Sequence, residues 1–123
     1  MTPPIKGLWH AALNVRSLEP MRAFYVDLLG YAVEWAPDAD NLYLTRGRDN
    51  LALHVSADAP EPGERRRGAL DHLGFVLAQA EDVDLWAEHL IAAGFVLEAG
   101  PKTHRDGARS LYVRDPEGNL LQF

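Results

Sequence analysis

The chain has no cysteine. That excludes disulfides, thiolate metal ligands and cysteine nucleophiles, and any metal must be held by imidazole, carboxylate, amide or water. No apolar run approaches the ~18 residues a membrane-spanning helix needs. The opening MTPPIKG lacks the apolar core of a signal peptide, so a cytoplasmic location with no membrane partner is expected. Basic residues are outnumbered, 12 Lys and Arg against 18 Asp and Glu, and a formal charge of −6 argues against nucleic acid as a partner. The 47% hydrophobic and 24% charged residues set disordered and fibrous classes aside. A length of 123 residues suits one domain with a real core and is too short for two independent ones.

Within that length the chain repeats itself. Residues 9–35, WHAALNVRSLEPMRAFYVDLLGYAVEW, and 71–99, DHLGFVLAQAEDVDLWAEHLIAAGFVLEA, each read as a His-bearing strand, an amphipathic helix, a glycine and a further strand. Ser17 is the cap candidate of the first helix, with Glu19 and Pro20 in its first turn. Met21, Phe24, Tyr25, Leu28 and Leu29 then form one apolar stripe, closed by Gly30. Val83, Trp86, Ala87, Leu90 and Ile91 repeat that spacing before Gly94. Further strands are predicted at Leu42 to Thr45, Leu51 to Val55, Ser110 to Arg114 and Asn119 to Phe123. In DPEG, Pro116 and Gly118 suit a type I turn before the last strand.

Each half is therefore β-α-β-β-β, an α+β fold of one domain over 1–123. Module 1 spans 5–56 and module 2 spans 70–123, with 57–69 as linker. The connection SADAPEPGERRRG, rich in proline, glycine and charge, reads as exposed, and Arg65, Arg66 and Arg67 as solvated.

Period-two alternation assigns the strand faces. Trp9, Ala11 and Leu13 point toward the helices and His10, Ala12 and Asn14 away; Leu73, Phe75 and Leu77 likewise oppose His72, Gly74 and Val76. Leu51, Leu53 and Val55 leave Ala52, His54 and Ser56 on the concave side, and Leu121 and Phe123 leave Leu120 and Gln122 there. Symmetric packing of the modules would give a cup with four polar corners, His10, His54, His72 and Gln122. Imidazoles converging from separate strands are the beginning of a metal site. His89 reads as a surface residue at the edge of its helical stripe, and Trp9, Trp35 and Trp86 as core or subunit-interface residues.

These features, from the His10 strand through NVRSLEPMRAFYVDLLGY to the closing LYVRDPEGNLLQF, resemble the vicinal oxygen chelate superfamily of glyoxalase I, extradiol dioxygenases and the fosfomycin- and bleomycin-resistance proteins. The resemblance implies two βαβββ modules in a U-shaped, cup-like mixed sheet with helices outside. It also implies a divalent metal on His10, His72 and the position of Gln122, with His54 as a candidate fourth ligand. The spacing looks most like extradiol ring-cleavage dioxygenases, which implies Fe(II) or Mn(II), with Ni(II) or Zn(II) as alternatives. By the same resemblance His54 is an acid/base, and His104 and Tyr112 hydrogen-bond the hydroxyls of a small-molecule substrate. A homodimer is implied too.

The pattern departs from the family at Gln122, where a glutamate is usual. A neutral amide oxygen is a weaker donor and cannot serve as a base at neutral pH. Glu34, Glu98 and Glu117 are the glutamates that could compensate, and alternation and turn chemistry give no reason to place them in the cup. Three readings follow: an extradiol-type dioxygenase, a glyoxalase-like lyase or isomerase, and a binder that holds a ligand without turnover.

Overall fold

The computed structural model describes residues 1–123, except for the side chains of Arg66 and Arg67. It divides into two compact units, Met1–Ala59 and Pro60–Phe123.

The first unit runs β1 (His10–Val15), α1 (Leu18–Arg22), β2 (Ala32–Asp38), β3 (Asn41–Thr45) and β4 (Asn50–Val55). Its sheet has the order β1-β4-β3-β2, with β1 parallel to β4 and the other pairs antiparallel. Ser17 stands at the cap position of α1 without a side-chain cap bond. From Ala23 to Leu28 the helix widens into a π turn, shown by Leu29 N–H donating to Phe24 C=O at 3.0 Å. The wider turn shifts the apolar stripe. Met21, Phe24, Tyr25 and Leu29 are buried, while Leu28, expected beside them, is half-buried. Gly30 then takes φ +82°, the left-handed residue that ends a helix. The stripe meets Val15, Leu42, Leu44, Leu51 and Leu53 in the core, where each fully buried aliphatic side chain contributes about 2 kcal/mol.

The second unit repeats this order as β5 (Leu73–Gly74), α2 (Asp82–Ala92), β6 (Leu97–Thr103), β7 (Arg109–Arg114) and β8 (Leu120–Gln122). Its sheet is β5-β8-β7-β6, again with only the first pair parallel. Val83, Ala87, Leu90, Leu111, Val113, Leu121 and Phe123 are buried. Among the described residues no helix is long and apolar enough to cross a membrane.

Several expectations change. Trp9 lies outside β1 and is exposed, as is Trp35 on the edge strand β2, so neither is a core residue of this chain. Ile91, expected in the stripe of α2, is exposed as well. His72 precedes β5 rather than lying in it, because that strand pairs with β8 only through Leu73 and Gly74. The connection is not simply solvated: it folds into a 3₁₀ turn over Glu64–Arg67. There the Arg65 guanidinium is buried against Glu117 at 3.1 Å and donates to Asn119 Oδ1 at 2.9 Å. The expected solvation of Arg66 and Arg67 falls on side chains outside the described set.

Candidate functional site

Each sheet has a face turned away from its core, and the chemistry-bearing side chains stand there. In β1, Leu13 and Val15 are buried while His10, Ala12 and Asn14 are exposed, as alternation requires. The parallel register sets His10 opposite Asn50 and Asn14 opposite His54. His54 therefore stands four residues along from His10, about 13 Å. Between them runs a row across the sheet, Ala12–Ala52–Tyr43–Trp35. Trp9 stacks on His10 with ring centroids 5.5 Å apart, Trp35 stacks on Tyr43 at 5.0 Å, and Tyr43 meets the His54 ring edge-on at 5.6 Å. Aromatic surface thus flanks both imidazoles.

Both imidazoles are also held from behind. His10 Nδ1 lies 2.6 Å from Asn50 Oδ1, and Asn50 Nδ2 donates to Glu34 Oε2 at 2.7 Å. His54 Nδ1 lies 2.6 Å from Asn41 Oδ1, and Asn41 Nδ2 donates to Asp38 Oδ1 and Oδ2 at 2.8 and 3.1 Å. The backbone N–H of Asp40 and the Asn41 amide hold the Asp38 carboxyl below the usual carboxylate range. A cleft of about 520 Å³ in the same unit is lined by Asp38, Asn41, Arg16 and Arg22, among others, and by neither histidine.

In the second unit, His72 Nδ1 lies 2.7 Å from the Asp71 carboxylate, and its ring meets that of Tyr112 edge-on at 5.6 Å. Tyr112 pairs across the ladder with Gln122, which pairs in turn with Gly74, two residues after His72. A Cβ on Gly74 would sit 3.8 Å from Gln122 Oε1, so the amide lies over the bare glycine. His104 follows β6, with its Nε2 2.7 Å from the hydroxyl of Ser110, two residues before Tyr112 on β7. The second unit thus places His72, Tyr112 and Gln122 side by side, with His104 one alternation step further along. His89 is exposed on α2, and the half-buried Trp86 packs against the buried Phe123.

Oxygen acceptors at Nδ1 of His10, His54 and His72 leave Nε2 as the basic nitrogen of each neutral ring, the state that metal-ligating and proton-accepting histidines need. Imidazole with an amide oxygen suits Fe(II), Mn(II), Ni(II) or Zn(II), so the donor chemistry of these residues fits such an ion. Among the described residues, no three of His, Asp and Glu gather into a ready-made metal cluster. The glutamates considered as substitutes for Gln122 are engaged elsewhere: Glu34 with Asn50, Glu98 with Arg114 at 2.9 Å, and Glu117 with Arg65.

Reading the sequence by alternation finds the histidines and Gln122 but misses the residues behind them. Asn50 shares the parity of Ala52 and His54, so a signal for it existed. Glu34 and Asp38 share the parity of Ala32, which pairs with Thr45 on this face, so alternation along β2 carried a signal for them as well, contrary to the expectation for Glu34; the shifts in the β2–β3 register add Trp35 beside them.

The family model described as Glyoxalase/Bleomycin resistance protein/Dioxygenase superfamily matches residues 7–123. A virulence protein of Salmonella typhimurium is 27% identical over 119 residues, covering 93% of this chain and 80% of that protein. An integron cassette protein from the mobile metagenome of Halifax Harbour sewage outfall superposes with a TM-score of 0.78 at 26% identity, covering 97% of each chain. A lactoylglutathione lyase from Agrobacterium tumefaciens, 24% identical, shares the fold with a TM-score of 0.76 over 97% of this chain and 92% of that one.

Proposed function

The chain belongs to the Glyoxalase/Bleomycin resistance protein/Dioxygenase superfamily, and from that premise we propose that it is a divalent-metal-dependent enzyme acting on a small molecule with two neighbouring oxygens, by extradiol-type cleavage of a catechol-like ring. The observation that carries this reading is the common setting of His10, His54 and His72. Each has Nδ1 turned onto an oxygen acceptor, which leaves Nε2 bare. His10, His72 and Gln122 are the proposed metal ligands, and His54 is a fourth candidate. Support for them comes from each unit taken by itself. When bound, such an ion acts as a Lewis acid on the substrate oxygens.

The remaining roles belong to side chains of this chain. His54 Nε2 accepts a proton from a substrate hydroxyl and returns it, with Asn41 holding the ring through Nδ1. The Tyr112 hydroxyl, beside His72, hydrogen-bonds a substrate oxygen, and His104 approaches from the same strand face. Trp9, Trp35 and Tyr43 offer flat apolar surface to a planar ring.

A glyoxalase-like proton abstraction is less well supported, because Gln122 cannot act as a base and Glu34, Glu98 and Glu117 are committed to other partners. The neutral Gln122 does favour one other reading, a binder that holds its ligand without turnover.

Metal content of untagged protein, measured for the parent, His10→Ala and His72→Ala, tests the proposal. Stoichiometric metal in the parent and its loss in both variants is expected, followed by oxygen uptake by the Fe(II)-loaded parent with catechols. A parent that takes up no divalent metal even after reconstitution would refute the enzyme reading. A ligand recovered intact, and bound equally well by metal-free protein, would establish the binder.

A further inference from the structure

Both imidazoles of the first unit end the same kind of hydrogen-bond chain, and both chains begin on β2. Glu34–Asn50–His10 and Asp38–Asn41–His54 each run carboxylate, amide, imidazole. The amide works as a one-way adaptor. An ionised carboxylate only accepts, so the Asn NH₂ must face it and the Asn oxygen must face the ring. That oxygen also only accepts, so the ring must place its proton on Nδ1. The tautomer is therefore set from a carboxylate two residues removed, without a negative charge touching the imidazole.

The backbone is shaped to deliver both carboxylates. Ala32 pairs with Thr45 on the open side and Val33 with Leu44 on the core side, so alternation along β2 already turns Glu34 and Asp38 to the open side; Trp35, which faces Tyr43 there too, is the residue out of step. One register shift falls between Val33 and Trp35, and a second between Trp35 and Asp38. The first brings Trp35 onto the open face beside Glu34, and the second restores the parity by which Asp38 stands opposite Asn41, as β-bulges do when they re-aim a side chain. Pro37 sits within the second shift, on an edge strand, where the missing N–H costs no ladder bond. Two carboxylates on one face of one edge strand, each chain ending on a different histidine, is more than hydrogen-bond satisfaction at the surface requires.

We propose that Glu34 with Asn50, and Asp38 with Asn41, are positioning residues that hold His10 and His54 in the Nδ1–H tautomer, so that both present a bare Nε2 to whatever the open face binds. This holds whether that partner is a metal, a proton or a ligand donor, and it does not depend on the enzyme reading.

The test is long-range proton–nitrogen correlation NMR on the metal-free full-length protein, about two pH units above the ordinary imidazole pKa of ~6.5. The parent should show Nδ1–H for His10 and His54. Asn41→Leu should move His54 to a majority of the Nε2–H form and leave His10 unchanged. Asn50→Leu should do the reverse, but Asn50 is buried, so Glu34→Leu on the exposed edge strand is the safer variant. It should lower the Nδ1–H fraction of His10 alone, while Glu34→Gln, whose amide oxygen still accepts from Asn50, should retain it. His72, held by Asp71, is the internal control. Nε2–H tautomers in the parent overturn the proposal, as do unchanged spectra in Asn41→Leu and Glu34→Leu, or identical behaviour of Glu34→Gln and Glu34→Leu.

Discussion

Replacing Glu117 by alanine tests how firmly the connecting segment is built into the second unit. The Arg65 and Glu117 side chains are only 8% and 7% exposed. The change therefore leaves a guanidinium inside the protein without its carboxylate, still donating to Asn119 Oδ1 at 2.9 Å. Removing one partner of a buried ion pair costs about 3–5 kcal/mol. The neutral Asn119 amide retains part of the bonding, which places the expected loss near the lower end, about 3 kcal/mol. For a chain of this size that corresponds to a fall in Tm of roughly 10 °C. Urea and thermal unfolding of the parent, Glu117→Ala, Arg65→Met and the double variant Arg65→Met/Glu117→Ala provide the assay. The double variant should cost less than the sum of its single changes by about 1–2 kcal/mol, because no buried charge is left behind. A Glu117→Ala cost below about 1 kcal/mol, the range of exposed pairs, would show that Arg65 reaches solvent and would restore the solvated-linker expectation.

The same contact makes two glycines informative. Gly118 and Gly107 both have φ +91°, but a Cβ on Gly118 would fall 2.6 Å from Pro62 C=O, while Gly107 has nothing within 4 Å. Gly107→Ala should cost about 1 kcal/mol of backbone strain and Gly118→Ala clearly more, about 2–3 kcal/mol; equal values in urea unfolding would show that Pro62 moves aside freely. The Tyr31 phenol is raised well above 10.0 by burial and then by its bond to Asp49 at 2.7 Å. A folded pKa above the unfolded one means that its contribution is complete below pH 10 and is lost as pH rises through the folded value, so Tyr31→Phe should reduce the alkaline loss of stability. Spectrophotometric titration in which every tyrosine ionises near the ordinary value would contradict this. Finally, Gln122→Glu adds a charged donor beside His72, so metal affinity measured by competition with a chelator should rise; an unchanged or weaker affinity would remove Gln122 from the proposed ligand set.

The sequence by itself determined the two βαβββ units, because helix stripe, closing glycine and strand alternation are local periodicities that tertiary packing has only to accept. Met21, Phe24 and Tyr25, and Val83, Ala87 and Leu90, are buried as their spacing requires. His10, Ala12 and Asn14 face away from the core because two-residue alternation leaves no other choice once Leu13 and Val15 go inside. The histidines, Tyr112 and Gln122 were legible as candidates for the same reason. What holds the histidines was not. Glu34 and Asp38 stand on the open face by the parity of Ala32, but that they meet Asn50 and Asn41 depends on how β2, β3 and β4 pair. Arg65 and Glu117 are far apart in sequence and sit in segments without periodicity, so their pairing exists only in the folded chain. Alternation determines which face a side chain occupies; bulges, turns and ion pairs depend on which strands and loops become neighbours, and only the tertiary structure decides that.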